Sequence, residues 1–296
     1  MDIQRIGVVG AGLMGSGIAE VFALVGYDTL VSEVNDEFLT KGLERIETSM
    51  QTAVKRGKLA PADREAARSR VRGTTRLEDF ADRDLVIEAA IEDVQLKKAL
   101  FAQLDQICPP HAILTSNTSS IPIIHMAIAT RRPDRVLGMH FFNPVPTMKL
   151  VELVRTLTTS DEALETTRAV GERLGKRMIV SKDRPGFIIN YLLIPYLLDA
   201  IRLLEQAFAS KEDIDVGMML GASYPMGPLA LLDFIGLDTT LHVADVLFEG
   251  FKEPRFAAPM LLRQMVVAGW LGRKSGRGFY HYQAWEQPPS LEKRKS

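Results

Sequence analysis

The chain has 296 residues, 46% of them hydrophobic and 25% charged, a soluble globular balance that at roughly 150 residues per domain points to about two domains. A net charge of −1 supplies no long-range attraction to nucleic acid or to an anionic membrane surface. The single cysteine, Cys108, excludes an internal disulfide and points to a reducing, cytoplasmic setting.

From Ile6 to Val25 almost every residue is apolar or small, interrupted only by Ser16 and Glu20. The length suits a signal peptide or a membrane span. Five glycines, a basic flank of Arg5 alone and the lack of a cleavage site favour a buried strand, turn and helix instead. Short β-branched runs at 5–9, 29–32, 85–88, 113–115 and 136–139 then alternate with helical stretches near 13–25, 36–56, 62–70, 94–107 and 121–128. That alternation is the pattern of a doubly wound parallel sheet. A further strand at 150–154 follows too closely for a helical crossover, so it is expected to run antiparallel to its predecessor. A helix at 161–174 and a strand at 178–180 complete this half.

Lys182-Asp183-Arg184-Pro185-Gly186 reads as domain punctuation. Beyond it the pattern is helical, without clear strands. The apolar stretch 187–208 contains Pro195, which is expected to kink or split it, while Asn190 and Asp199 make it a poor membrane span. Ser210 with Asp213 has the signature of a helix N-cap. Helices are expected near 211–220, 228–248 and 258–268, then a glycine-rich basic segment and a polar tail with a Lys/Arg cluster at 293–295. Met218, Met219 and Met226 suit core or subunit contacts. His111, His125, His242 and His281 have no spaced partners, and no cluster has metal-ligand spacing.

Gly10-Ala11-Gly12-Leu13-Met14-Gly15 places a glycine fingerprint between the first strand and the first helix. The first glycine permits the tight turn, the second lets backbone approach a pyrophosphate, and the third allows close helix–sheet packing. The helix N-terminus offers N–H groups and a positive dipole end to phosphate. Gly10, Gly12, Leu13, Met14 and Gly15 are therefore the expected dinucleotide cradle; FAD shares this fingerprint, and a glycine turn without a ligand is the plainer alternative. Glu33, ending the second strand, can accept both adenosine ribose hydroxyls and repels a 2′-phosphate, which favours NAD over NADP. The expected architecture is α/β: a Rossmann-like, doubly wound, mostly parallel sheet over 1–184, followed by an all-α C-terminal domain over 185–296.

His140 sits at a strand end on the carboxyl edge of this sheet, where open α/β folds bind ligands. Alone, a histidine there is more often structural. Glu152 on the neighbouring strand changes its weight, because a carboxylate on one imidazole nitrogen fixes the tautomer and stabilises the imidazolium formed when the other nitrogen takes a proton. Oxidation of an alcohol by NAD needs such a base. The loop Ser116-Asn117-Thr118-Ser119-Ser120 could bind the reacting oxygen or the nicotinamide, or could simply cap the next helix.

The segments GAGLMGSGIA, SNTSS, HFFNPVPTMKLVE, DRPGFIINYLLIPYL, GASYPMGPLALLD and GRKSGRGFY span nearly the whole chain. In them the sequence resembles the L-3-hydroxyacyl-CoA dehydrogenase family, near its bacterial short-chain members. The resemblance implies NAD-dependent oxidation of a short-chain (S)-3-hydroxyacyl-CoA such as 3-hydroxybutyryl-CoA, or the reverse, within fatty acid metabolism. It implies that His140 is the base, Glu152 its partner, and that Ser119 and Asn190 contact the reacting substrate. Asn143 is implied on the nicotinamide side, and Glu92, Lys97 and Lys274 along the cofactor site; pattern reading alone would make those last three surface charges. Ser49 is implied as a coenzyme A contact, with Arg56 where a lysine is usual and Lys55 adjacent; either cation could contact a coenzyme A phosphate. Tyr191 departs from the arginine that commonly follows the asparagine. A homodimer through the C-terminal helices is also implied. Two other readings remain: a free hydroxy-acid dehydrogenase similar to L-gulonate dehydrogenase or lambda-crystallin, and a non-catalytic NAD-binding or structural protein.

Overall fold

The computed structural model describes residues 2–282, so the Lys/Arg cluster at 293–295 lies outside the described residues. The chain divides into two compact units after Phe187.

The first unit opens with β1 (Arg5–Val9), α1 (Leu13–Leu24), β2 (Asp28–Ser32), α2 (Asp36–Lys55), α3 (Pro61–Arg70) and β3 (Val71–Thr74). It continues with β4 (Leu85–Glu88), α4 (Val94–Ile107), β5 (Ile113–Ser116), α5 (Ile124–Ala127) and β6 (Val136–Phe141), and closes with β7 (Leu150–Arg155), α6 (Asp161–Arg173) and β8 (Arg177–Lys182). The eight strands form one sheet in the order β3-β2-β1-β4-β5-β6-β7-β8. From β3 to β6 every pairing is parallel, so the carboxyl ends of β1, β4, β5 and β6 share one edge. The strand order reverses between β1 and β4, which opens a crevice at that edge. As expected from the short connection, β7 runs antiparallel to β6, and β8 then pairs parallel to β7.

Alternate residues feed cores on the two faces of the sheet, as the two-residue period of a strand requires. Ile6, Val8, Leu85, Ile87, Leu137 and Met139 pack on one side with α1 and α6, while Val9, Val86, Leu114 and Val136 pack on the other with α4 and α5. The long α2 is stabilised at its start by Asn35, whose side chain accepts the Phe38 N–H, and by Asp36 and Glu37 in the first turn.

The second unit holds α7 (Ile189–Glu205), α8 (Lys211–Val216), α9 (Pro228–Ile235), α10 (Leu237–Phe251) and α11 (Met260–Val267) around its own apolar core. Ser210 caps α8, its hydroxyl accepting the Asp213 N–H as expected. The sequence expectations differ from the structure in particular places. Of the two effects expected of Pro195, the split does not occur, since Pro195 lies inside the continuous α7. The helix read over 228–248 is two helices, separated by Gly236 at φ 106°, a left-handed geometry that ends a helix. The short strand β3 went unread in the sequence. No helix among the described residues is long and apolar enough to cross a membrane.

Candidate active site

The glycine-rich turn joins β1 to α1 at the crevice. Gly10 adopts φ +97°, and a Cβ there would lie 2.7 Å from the carbonyl oxygen of Ala89, just past β4. A Cβ at Gly15 would come within 1.8 Å of the Gly10 carbonyl oxygen, so only glycine lets α1 begin this close to the turn. A Cβ at Gly12, by contrast, would meet nothing within 4 Å, and no side chain caps α1. The backbone of Leu13 and Met14 opens the helix at this point, leaving its N-terminal dipole to an outside anion.

Glu33 lies beside the turn. One carboxylate oxygen accepts the Ala11 N–H at 2.7 Å and the other the Val34 N–H at 3.1 Å. These residues fit a bound dinucleotide: an approachable turn, an uncapped helix end, and an acid positioned at the end of β2.

Further along the same edge, Glu88 ends β4 and Lys97 rises from α4. Their side chains are 0% and 1% exposed and pair at 2.6 Å. Lys97 is therefore an interior charge rather than a surface one. Its ammonium also lies 3.3 Å from Glu92, whose other oxygen accepts the Ser119 N–H at 3.2 Å. The buried Glu88, with no signal in the sequence beyond its strand end, is the residue that pattern reading missed.

The loop after β5 is tied down from both sides. Asn117 donates its backbone N–H to the Glu88 carbonyl, and its side-chain oxygen accepts the Phe141 N–H at 2.9 Å. That bond fixes the backbone next to His140. Neither Ser119 nor Ser120 caps the following helix: Asp183, just past β8, accepts the Ile123 and Ile124 N–H groups, each at 2.8 Å.

His140 and Glu152 are register partners on the antiparallel pair β6 and β7. Directly opposed residues on one face bring their side chains together, and here His140 Nδ1 lies 2.8 Å from Glu152 Oε2. The carboxylate is 0% exposed. Phe142 and Phe187 stand against the imidazole, with ring centroids at 4.5 and 5.6 Å. An imidazole held through Nδ1 in an apolar surround presents Nε2 as its proton-exchanging atom. Asn143 follows on the exposed turn leaving β6.

Ser49 lies on α2, half-buried, and hydrogen-bonds to the Glu20 carboxyl of α1. Burial pushes that carboxyl up to about 7, against the lowering effect of the Ser49 bond. Arg56 is exposed at the end of α2. In the second unit, Asn190 sits in the first turn of α7, and Lys274 pairs with Asp238 at 2.6 Å. Arg255 lies over the Tyr191 ring, 4.5 Å from its centroid, and donates to its hydroxyl.

Residues 5–184 match the family described as 3-hydroxyacyl-CoA dehydrogenase, NAD binding domain, and residues 186–282 match the 3-hydroxyacyl-CoA dehydrogenase C-terminal domain. A 3-hydroxybutyryl-CoA dehydrogenase of Mycobacterium tuberculosis is 52% identical over 282 residues, covering 95% of this chain and 99% of that one. A solved structure of an M. tuberculosis protein superposes with a TM-score of 0.94 at 52% identity, covering 96% of this chain and all of the other. The (S)-3-hydroxybutyryl-CoA dehydrogenase structure from Ralstonia eutropha gives 0.91 at 46% identity, over 96% of this chain and 100% of that one. With both domains matched and the sheet, the helical unit and the glycine turn in place, the chain belongs to the 3-hydroxyacyl-CoA dehydrogenase family and carries its NAD-binding domain.

Proposed function

We propose that this enzyme oxidises the 3-hydroxyl of a short-chain (S)-3-hydroxyacyl-CoA, 3-hydroxybutyryl-CoA foremost, and catalyses the reverse reduction. The observation that carries the proposal is the buried 2.8 Å pairing of His140 Nδ1 with Glu152, at the same carboxyl edge of the sheet as the uncapped glycine turn. Bound NAD supplies the acceptor for the hydride that leaves C3. His140 Nε2 takes the hydroxyl proton as the carbonyl forms, and Glu152 holds the ring in the tautomer that makes Nε2 basic and stabilises the resulting imidazolium. In reduction the same imidazolium returns its proton to the oxygen.

Gly10, Gly12, Leu13, Met14 and Gly15 cradle the pyrophosphate in this reading, and Glu33 takes the adenosine ribose. Glu92, Lys97, Asn143 and Lys274 line the cofactor, while Ser119 and Asn190 orient the reacting group. Ser49 and Arg56 on α2 are the coenzyme A contacts; the planar guanidinium of Arg56 can take a phosphate in two parallel hydrogen bonds, where lysine offers a point charge. The domain roles follow: residues 1–184 for the cofactor, 185–296 for substrate and dimerisation. Side chains such as Leu192, Phe208 and Val267, 65%, 77% and 89% exposed in the second unit, suit a homodimer through the C-terminal helices. The lone buried Cys108, its thiol pushed up to about 12 by burial, suits a cytoplasmic enzyme.

The test compares substrates. Purified protein is expected to oxidise NADH with acetoacetyl-CoA and to leave free acetoacetate nearly untouched. Turnover of free acids but not of CoA esters would overturn the acyl-CoA assignment in favour of a hydroxy-acid dehydrogenase. NADH binding without turnover of either would point to a non-catalytic protein.

A further inference from the structure

The Glu88–Lys97 pair is an interior ion pair, its side chains 0% and 1% exposed. Glu88 is held by three donors: the Lys97 ammonium at 2.6 Å, the Ser116 hydroxyl at 2.6 Å and the Ala90 N–H at 2.7 Å. One carboxylate thus ties the end of β4 to the end of β5 and to α4. Lys97 in turn reaches the Ala90 carbonyl at 3.3 Å and Glu92 at 3.3 Å, and Glu92 accepts the Ser119 N–H at 3.2 Å. The result is a continuous polar chain from a fully buried acid to the loop bearing Ser119.

An interior ion pair is a weak source of stability, since well-packed apolar residues often replace one without loss, whereas removing one partner strands a charge. Its persistence here asks for a positional role. We propose that Glu88 is a positioning residue for the cofactor site: it fixes the Lys97 ammonium, which anchors Glu92 and, through Glu92, the Ser119 backbone. Glu88 itself touches neither cofactor nor substrate. The inference rests on the reading of Glu92, Lys97 and Ser119 as cofactor-side residues. Neutralising Glu88 leaves Lys97 with Glu92 as its one remaining carboxylate. Glu92 is then drawn toward the ammonium and off the Ser119 amide, and the Ser119 backbone loses that anchor while Asn117 still holds the start of the loop.

The test measures NADH affinity by fluorescence titration without substrate, alongside melting temperature, for the wild type, Glu88→Gln, Lys97→Met and the double variant. Glu88→Gln keeps the side-chain shape and an acceptor for Ser116 or Ala90. It is expected to weaken NADH binding about tenfold, the scale of coupling within one hydrogen-bonded network. Because Glu88 acts through Lys97, the double variant is expected to bind no more weakly than Lys97→Met alone. A Glu88→Gln protein that melts earlier but binds NADH like the wild type would overturn the proposal, as would fully additive losses. If Glu88→Gln does not fold, the neutral double variant decides: wild-type affinity there refutes the positioning role, and affinity matching Lys97→Met supports it. A wild-type chain that fails to bind NADH would overturn the cofactor reading as well, which separates the two failures.

Discussion

The Glu33 carboxylate has one observed task, holding the glycine turn, and in the proposed function a second, holding the adenosine ribose. Its oxygens accept the Ala11 and Val34 N–H groups, which stiffens the glycine turn, and each retains a lone pair for a ribose hydroxyl. Replacing Glu33 with Gln removes the charge that repels a 2′-phosphate while keeping one acceptor. The ratio of NADPH to NADH dissociation constants should fall by about tenfold, measured by titration of both nucleotides; an unchanged ratio would show that another residue sets the preference. Glu33 was legible because its distance from the glycines is fixed by the β1–α1–β2 unit. His140 and Glu152 were legible because two short strands with a tight connection leave few registers. Glu88 was not, and Lys97 only through the family resemblance: whether a lysine is interior depends on an acid from another strand, and no local pattern announces that pairing.

At the scale of elements, period and punctuation carried most of the fold. The antiparallel turn at β7 followed from the short connection, eight residues between Phe141 and Leu150, too few for a crossover helix. What failed was local. Strand β3, Val71–Thr74, contains Arg72 and Gly73 and lies at the sheet edge, so it lacks the apolar alternation that marks a strand. The break between α9 and α10 is a single residue, Gly236 at φ 106°, inside an otherwise continuous helical pattern. Gly236→Ala forces a Cβ into that backbone conformation and should cost about 1–2 kcal/mol. Urea unfolding should report it as a lower midpoint, and an unchanged midpoint would mean that the helices can join without strain.

At the scale of the whole molecule, each unit has its own apolar core, and each also buries charge. Glu20 is 3% exposed on α1, and burial raises its carboxyl from 4.5 to about 7. The folded state therefore prefers the protonated acid. That stabilisation is complete below about pH 4.5 and is lost as pH rises through 7, a change on the order of 3 kcal/mol. Glu20→Gln stays neutral throughout, so its melting temperature relative to wild type should climb between pH 5 and 8. Parallel melting profiles would show that Glu20 ionises in the fold without penalty. No sequence pattern revealed this acid, since Glu20 interrupts an apolar helix as a solvent-facing residue would.

The proposed catalytic role of the His140–Glu152 pair is tested most directly by the turnover number of His140→Ala with acetoacetyl-CoA, taken with its NADH dissociation constant. Loss of the general acid and base should lower kcat by at least about 10²-fold, while NADH binds within about threefold of wild type because the glycine turn and Glu33 are untouched. A variant whose kcat stays within about threefold of wild type would contradict the assignment of His140 as the proton-transferring group.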